Sequence, residues 1–244
     1  MILAAGRGAR LRPLTDMTPK PLIPLNHQPL ISYSLRLLQK HGIQDVLINL
    51  HYLGDLIEKE LGDGKKFGMN IRYSWEPEVL GTGGGVKKAQ AFFAGQPSLI
   101  LNSDILIDLD LDDFFRYHRK KKGLATMALR PREAGSSYSS VVLDEDNRIL
   151  KIETDASPRS GASFMYTGVQ LLEPGFFDYL PANRAACLIR EGYQPALANQ
   201  EKIFGYVYQG YWNDVGTFES YRQAENDLAS VQVNWPHKSF HTGS

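Results

Sequence analysis

Apolar runs of strand length alternate along the chain with stretches whose apolar residues recur at helical spacing. Ile2-Leu3-Ala4-Ala5 predicts a short buried strand that ends at Gly6. From Pro29 to His41, the residues Ile31, Leu35 and Leu38 fall on one helical face, with Pro29 in the first turn and Gly42 as the stop. Asp45 to Leu50 reads as an apolar strand, Gly54 to Leu61 as a short helix, and Met69 to Ser74 as an alternating strand. Gly84 to Phe93 reads as a helix entered through a glycine run. Ser98 to Asn102 reads as a strand with Ser103-Asp104 at its carboxyl end, Leu111 to Lys121 as a helix and Ala125 to Leu129 as a strand. Such alternation predicts the α/β class, with a parallel, doubly wound sheet.

The rhythm changes after about residue 131. Val141 to Leu143, Ile149 to Glu153 and Ser163 to Leu171 read as β ribbons, with a turn at Asp146-Asn147. Phe176 to Leu180 and Ala185 to Glu191 read as helical, Ile203 to Tyr208 as a strand, and Thr217 to Leu228 as a closing amphipathic helix. The expected organisation is one domain over residues 1–230, in which residues 131–230 are a β-rich extension of residues 1–130. The tail 231–244 shows no periodicity.

Composition narrows the classes. The 244 residues suit one large α/β domain, and 43% hydrophobic with 22% charged residues fit a globular protein. Lys plus Arg and Asp plus Glu both number 27, so no global charge points to nucleic acid or an anionic membrane. Cys187 is the only cysteine, which rules out an intrachain disulfide and fits a reducing cytoplasm. No charged segment followed by an apolar run suggests a signal peptide, and no apolar stretch has the length of a bilayer span.

The opening MILAAGRGARLRPLTDMTPKPL holds the candidate chemistry. A strand runs into Gly6 and Gly8, where backbone N–H groups can close on phosphate oxygens. A dinucleotide fingerprint requires a third glycine where Leu11 stands, and the Gly-Lys-Ser/Thr of a P-loop is absent. What remains is a loop bearing Arg10 and Arg12, with Lys20 between Pro19 and Pro21. The prolines restrict the backbone around Lys20, which lowers the entropy it loses on meeting an anion. Asp104 in LILNSDI ends a buried strand, where α/β sheets place ligands. Asp214 in YWNDVGT sits between a strand and a helix, with Gly216 allowing the bend. In EPEVLGTGGGVKKA, the glycines from Gly81 permit close backbone approach at a helix entry. Lys120-Lys121-Lys122 reads as a solvated helix end, Trp75, Tyr211 and Trp212 as core or wall, and Cys187 as an inert thiol on an apolar helix. His41 and His51 lack metal-ligand spacing.

The segment LAAGRGARLRPLTDMTPKPLIPL closely resembles the signature of sugar-1-phosphate nucleotidylyltransferases. The resemblance covers Met1 to about Leu228 and is strongest in residues 1–30, 76–104 and 210–217. It implies a Rossmann-like, mixed and mostly parallel sheet with a β-rich sugar-binding extension. The implied reaction joins an NTP and a sugar 1-phosphate into an NDP-sugar and pyrophosphate. Carried over, Arg10 grips the triphosphate, Lys20 faces the α-phosphate, and Asp104 and Asp214 jointly bind Mg²⁺. Ala4, Ala5, Gly6 and Gly8 then line the nucleotide, together with Glu76, Gly81 and Thr82. Glu153, Thr167 and Gly168 are the implied sugar contacts.

Departures from the family pattern are Ser103 before the first aspartate, Thr154-Asp155 after Glu153, and Tyr138-Ser139-Ser140 where a Tyr-Gly-Val segment often lies. Many uridylyl members have Gln where Glu76 stands. A carboxylate accepts hydrogen bonds, which suits the paired N1–H and amine of guanine and also the N3–H of uracil. This leaves GTP with a mannose- or heptose-type phosphate slightly ahead of UTP with an amino-sugar or muramate phosphate. A non-catalytic sugar-nucleotide sensor is the rival from another class, and the presence of Arg10, Lys20, Asp104 and Asp214 speaks against it. A homo-oligomer follows by family analogy alone. The length leaves no room for the β-helix that some members append, so no acyltransferase activity is expected.

Overall fold

The computed structural model describes residues 1–132, 138–153 and 163–230. In chain order, β1 (Ile2–Leu3) leads to α1 (Leu14–Met17), the short pair β2 (Pro24–Leu25) and β3 (Gln28–Pro29), and α2 (Ile31–Lys40). Next come β4 (Asp45–Leu50), α3 (Gly54–Leu61), β5 (Asn70–Trp75), α4 (Gly81–Lys88), β6 (Ser98–Asn102) and β7 (Ile105–Ile107). These are followed by α5 (Leu111–Lys121), β8 (Ala125–Pro131), β9 (Ser140–Leu143), β10 (Ile149–Glu153) and β11 (Phe164–Leu172). The last elements are α6 (Gln194–Ala198), β12 (Ile203–Val207), β13 (Trp212–Asp214) and α7 (Phe218–Ala229). The chain divides into two units, one of residues 2–79, 102–108 and 211 onward, the other of Met1, 80–101 and 109–210. We call them the parallel unit and the ribbon unit.

In the parallel unit, β4 pairs in parallel with β1 and with β5. All three strands therefore end on the same side. β7 and β13 form a separate antiparallel pair, with Asp214 opposite Ile105. Beneath this pair lies a core of Leu25, Leu30, Tyr33, Leu106, Val215, Ala224 and Leu228. Removing a leucine side chain from such a cluster costs about 2–5 kcal/mol. α7 opens with a capping box, in which the Thr217 hydroxyl accepts the Ser220 N–H and Ser220 answers on the Thr217 N–H. Tyr221 ties α7 to the start of the chain by donating to the Pro24 carbonyl at 2.6 Å.

The ribbon unit is built on β11, which runs antiparallel to β6, β8 and β9. β12 adds in parallel to β8, and β10 pairs antiparallel with β9. Its core includes Phe176 against Tyr193, whose hydroxyl donates to Gln170 Oε1 at 2.6 Å. The α/β class and the mixed sheet with a β-rich region agree with expectation.

Four local expectations are corrected. Pro29 lies in β3 rather than in the first turn of α2, because it pairs with Pro24 in the small hairpin. The glycine run is not a lead-in to a helix but forms α4 itself, since Gly83 and Gly84 pack so tightly on residues 184–188 that a Cβ would crowd the backbone there. Cys187 is extended and precedes a π-helical turn (Leu188–Tyr193), where its N–H donates to Glu191 Oε2. The lysine run is also more engaged than a solvated helix end: Lys121 donates to the Asp146 carbonyl and lies over the rings of Tyr117 and Phe204. Thr154-Asp155 and the tail lie outside the described residues.

His118 is a buried imidazole of the ribbon unit. His118 contacts Thr126 Oγ1 at 2.7 Å and Glu173 Oε1 at 3.1 Å. Burial lowers its pKa below the ordinary 6.5, and Glu173 only partly offsets this. The unfolded chain therefore takes up a proton at this residue more readily than the folded one. Stability is expected to fall as the pH drops below about 6.5, with a slope from this residue of at most about 1.4 kcal/mol per pH unit. Urea unfolding between pH 8 and 5 measures it, and His118→Gln is expected to flatten the dependence.

Candidate active site

The carboxyl end of β1 opens into the glycine loop. Gly8 adopts a left-handed conformation at φ 62° and caps the 3₁₀ turn that carries Arg10. Its carbonyl accepts from Leu11 N–H and from the Thr15 hydroxyl, both at 3.0 Å. A Cβ on Gly8 would lie 2.9 Å from Thr15 Cγ2 and 3.0 Å from Lys20 Cβ. Glycine is thus required here both by the backbone angle and by the close approach of Lys20. Leu11 is buried and anchors the turn, while Arg10 stays exposed. Arg12 instead pairs with Asp16 on the surface, at 3.2 Å.

Lys20 starts a further 3₁₀ turn between an extended Pro19 and a buried Pro21. Its ammonium meets Asp104 Oδ2 at 2.5 Å, with the side chains 11% and 27% exposed. Asp104 is held from two sides. The neighbouring Ser103 donates its N–H to Leu3 O at 3.1 Å, and the Asp104 carbonyl accepts from Val215 N–H at 2.9 Å. The buried Val215 fixes Asp214 beside it on β13. The point where a Cβ on Gly216 would stand lies 3.0 Å from Arg10 Nη2 and 3.3 Å from Asp214 Oδ2. Four predicted residues, Arg10, Lys20, Asp104 and Asp214, are therefore gathered around the β7–β13 pair. Two of them are cations and two are carboxylates, a set suited to a phosphorylated ligand with a divalent ion.

Ala4 and Ala5 are buried and Gly6 is exposed at the loop's start. Glu76 follows β5 and is 2% exposed. Its Oε1 accepts from Asn49 Nδ2 at 2.8 Å, its N–H donates to Leu50 O at 2.8 Å, and its carbonyl meets His51 Nδ1 at 2.9 Å.

The remaining predicted residues belong to the ribbon unit. Gly81, at φ 67°, begins α4, and a Cβ there would strike Ala186 O at 2.7 Å. The Thr82 hydroxyl accepts from Leu188 N–H at 3.0 Å. Both thus have structural duties of their own. Thr167 is buried, with its hydroxyl donating to Ala128 O at 2.8 Å. Gly168, at φ 89°, sits where the β8–β11 register shifts. Glu153, on β10 opposite Ser140, pairs with Lys151 at 2.8 Å. Two residues escape a reading of the sequence: Thr15, which shapes the loop, and Asn49. The signal for Asn49 is a lone amide inside the apolar run VLINL.

A glycine loop, a stiffened lysine and two carboxylates at strand ends thus stand together in one α/β unit. The chain belongs to the nucleotidyl transferase family, which matches it over residues 1–231. It is 35% identical over 248 residues to a UTP–glucose-1-phosphate uridylyltransferase of Synechocystis, covering 96% of this chain and 64% of that protein. It is 36% identical over 235 residues to an N-acetylmuramate α-1-phosphate uridylyltransferase of Neisseria meningitidis, covering 92% of this chain and 96% of that one. The crystal structure of HddC from Yersinia pseudotuberculosis shares the fold, with a TM-score of 0.80 at 23% identity over 93% of this chain and 97% of that chain.

Proposed function

We propose that the protein is a sugar-1-phosphate nucleotidylyltransferase that makes an NDP-sugar and pyrophosphate. The observation that carries this reading is the convergence of Lys20, Asp104, Arg10 and Asp214 on one strand pair. An oxygen of the sugar phosphate attacks the α-phosphorus in line. One P–O bond forms, the bond to the β-phosphate oxygen breaks, and the electron pair leaves with pyrophosphate. The nucleophile arrives ionised, so no general base or covalent intermediate is required. Lys20 neutralises charge at the α-phosphate, and Arg10 holds the leaving pyrophosphate.

The donor set fits a divalent metal. Asp104 and Asp214 offer hard oxygen ligands beside the β7–β13 pair, and phosphate oxygens of the substrates would complete the shell. When bound, Mg²⁺ supplies further charge neutralisation at the phosphates. Among the described residues, nothing beyond its chain neighbours lies within 4 Å of a Cβ built on Gly6, so their packing does not demand glycine there. Close approach of the nucleotide to the backbone accounts for it. Ala4, Ala5, Gly8 and Glu76 complete the nucleotide side within the parallel unit, and Gly81 and Thr82 of the ribbon unit are assigned nucleotide contacts by the family resemblance alone. Glu153, Thr167 and Gly168 are assigned to the sugar side.

The base is guanine or uracil. Glu76 suits either, and the relatives include uridylyltransferases and guanylyltransferases alike. The sugar is chosen among hexose, heptose, amino-sugar and muramate 1-phosphates. A cytoplasmic setting fits these substrates, and no described helix is long and apolar enough to cross a membrane. Assembly into a homo-oligomer rests on family analogy.

The test is pyrophosphate release with Mg²⁺ across four NTPs and a panel of sugar 1-phosphates. Release with one pair, lost in Asp104→Asn, is expected. Silence across the grid, with tight binding of a finished NDP-sugar, would instead identify a sensor. Gly216→Val supplies a second check. Its added side chain meets the ends of Arg10 and Asp214 rather than backbone. The expected result is an unchanged melting temperature with turnover lowered by about tenfold to a hundredfold.

A further inference from the structure

Two short turns of the parallel unit carry the cations of the site, and a four-residue helix stands between them. Arg10 lies on the 3₁₀ turn Ala9–Leu11 and Lys20 on the turn Lys20–Leu22. α1 (Leu14–Met17) joins the two. So short a helix satisfies few of its own carbonyls. In a longer helix, the Thr15 carbonyl would take its donor from residue 19. Residue 19 is a proline, which has no N–H, and it is extended at ψ 144°. The proline that stiffens Lys20 thus also ends α1 and removes a helical donor.

Tyr52 supplies a donor in its place. It lies between β4 and α3, and its hydroxyl reaches Thr15 O at 2.9 Å and Asp16 O at 3.2 Å. One O–H proton is shared between these two carbonyls. From the buried Thr15 the contact passes on, since its hydroxyl donates to Gly8 O at 3.0 Å. Leu11 N–H donates to the same carbonyl, so both of its lone pairs are engaged. The Ala9 N–H, on the opposite edge of that planar peptide, is thereby turned away from Thr15. Lys20 shares this packing, because its Cβ and Thr15 Cγ2 both crowd the place where a Gly8 side chain would begin.

We propose that Tyr52 is a positioning residue, a latch on α1 that sets the places of Arg10 and Lys20 before nucleotide arrives. The proposal rests on the reading of those two cations as the groups that meet the phosphates. The latch reaches α1 from the end of β4, a strand paired on both sides. Without the hydroxyl, α1 keeps its contact with Gly8 but loses this tie to the sheet. A misplacement of about 1 Å at a reacting group can lower turnover by about a hundredfold.

The experiment is steady-state pyrophosphate release by the full chain, using the NTP and sugar 1-phosphate that the wild type turns over. Rates are read at a temperature at which melting curves show every variant folded. Tyr52→Phe removes one hydroxyl and keeps the ring. It is expected to lower kcat by about tenfold, with KM for the sugar 1-phosphate unchanged. Thr15→Val breaks the Gly8 contact and should produce a similar loss, whereas Thr15→Ser, which keeps a hydroxyl, should recover most of the rate. In the double variant of Tyr52→Phe with Thr15→Val the two losses should not multiply, because both break one path. A Tyr52→Phe protein with wild-type kcat, even one with a lowered melting temperature, overturns the proposal, and so do losses that multiply. Wild type that is silent with every substrate pair overturns the reading of the site beneath it, and that control tells the two failures apart.

Discussion

Lys20→Ala is expected to lower the rate of pyrophosphate release by roughly 10²–10³-fold, while circular dichroism and the melting transition stay close to wild type. The ammonium is the best-placed cation of the site. It is largely buried, stiffened by Pro19 and Pro21, and 2.5 Å from Asp104. Charge that develops at a phosphate in a partly water-excluded site is stabilised more strongly there than on the surface. The alanine variant loses that stabilisation and leaves Asp104 without its cation. Asp104 is 27% exposed, so water takes over and the cost to folding stays small. Asp104→Asn should produce a loss of the same order, because it removes the carboxylate that holds Lys20 and the ligand oxygen offered to a metal. Near-normal turnover in either variant would remove that residue from the mechanism.

Asp214→Asn is expected to raise the Mg²⁺ concentration needed for half-maximal turnover by at least about tenfold to a hundredfold, the range found even for residues that only support a ligand. The asparagine keeps the size of the side chain and its place on β13 beside the buried Val215. What changes is the charge. One of two carboxylates is lost, and Arg10 Nη2, which shares the space over Gly216 with Asp214 Oδ2, loses a neighbouring anion. Turnover titrated with Mg²⁺ at saturating substrates measures the shift. An unchanged Mg²⁺ requirement would show that Asp214 is not a ligand.

Much of this architecture is legible from residue order. β4, α3, β6, α5 and β10 stand where the apolar spacing puts them, because each carries an uninterrupted pattern bounded by a clear turn or cap. The glycine loop, Lys20 and Asp104 are legible because their spacing is rigid and their residue types unusual. The features that escape have tertiary causes. Pro29 looks like a helix start until pairing with Pro24 draws it into a hairpin. The glycines of α4 look like a flexible entry until close packing on residues 184–188 makes a helix of them. β7 and β13, three residues each, are too short to show a period and exist because they pair with each other. Asn49 is hidden because its partners, Ala4 and Glu76, lie far from it in sequence.

The parallel unit is drawn from three stretches of chain, and this has a consequence for synthesis on the ribosome. Lys20 emerges early, but Asp104 follows only after the intervening strands and helices have left the exit tunnel. The β13 partner of β7 comes much later still, and Tyr221 reaches Pro24 across a separation of 197 residues. Closing a loop of that length is slow compared with local helix formation. A nascent chain therefore carries its glycine loop and Lys20 before Asp214 and α7 have emerged. The four charges come together only once Asp214 and the β7–β13 pair that holds it are free to fold.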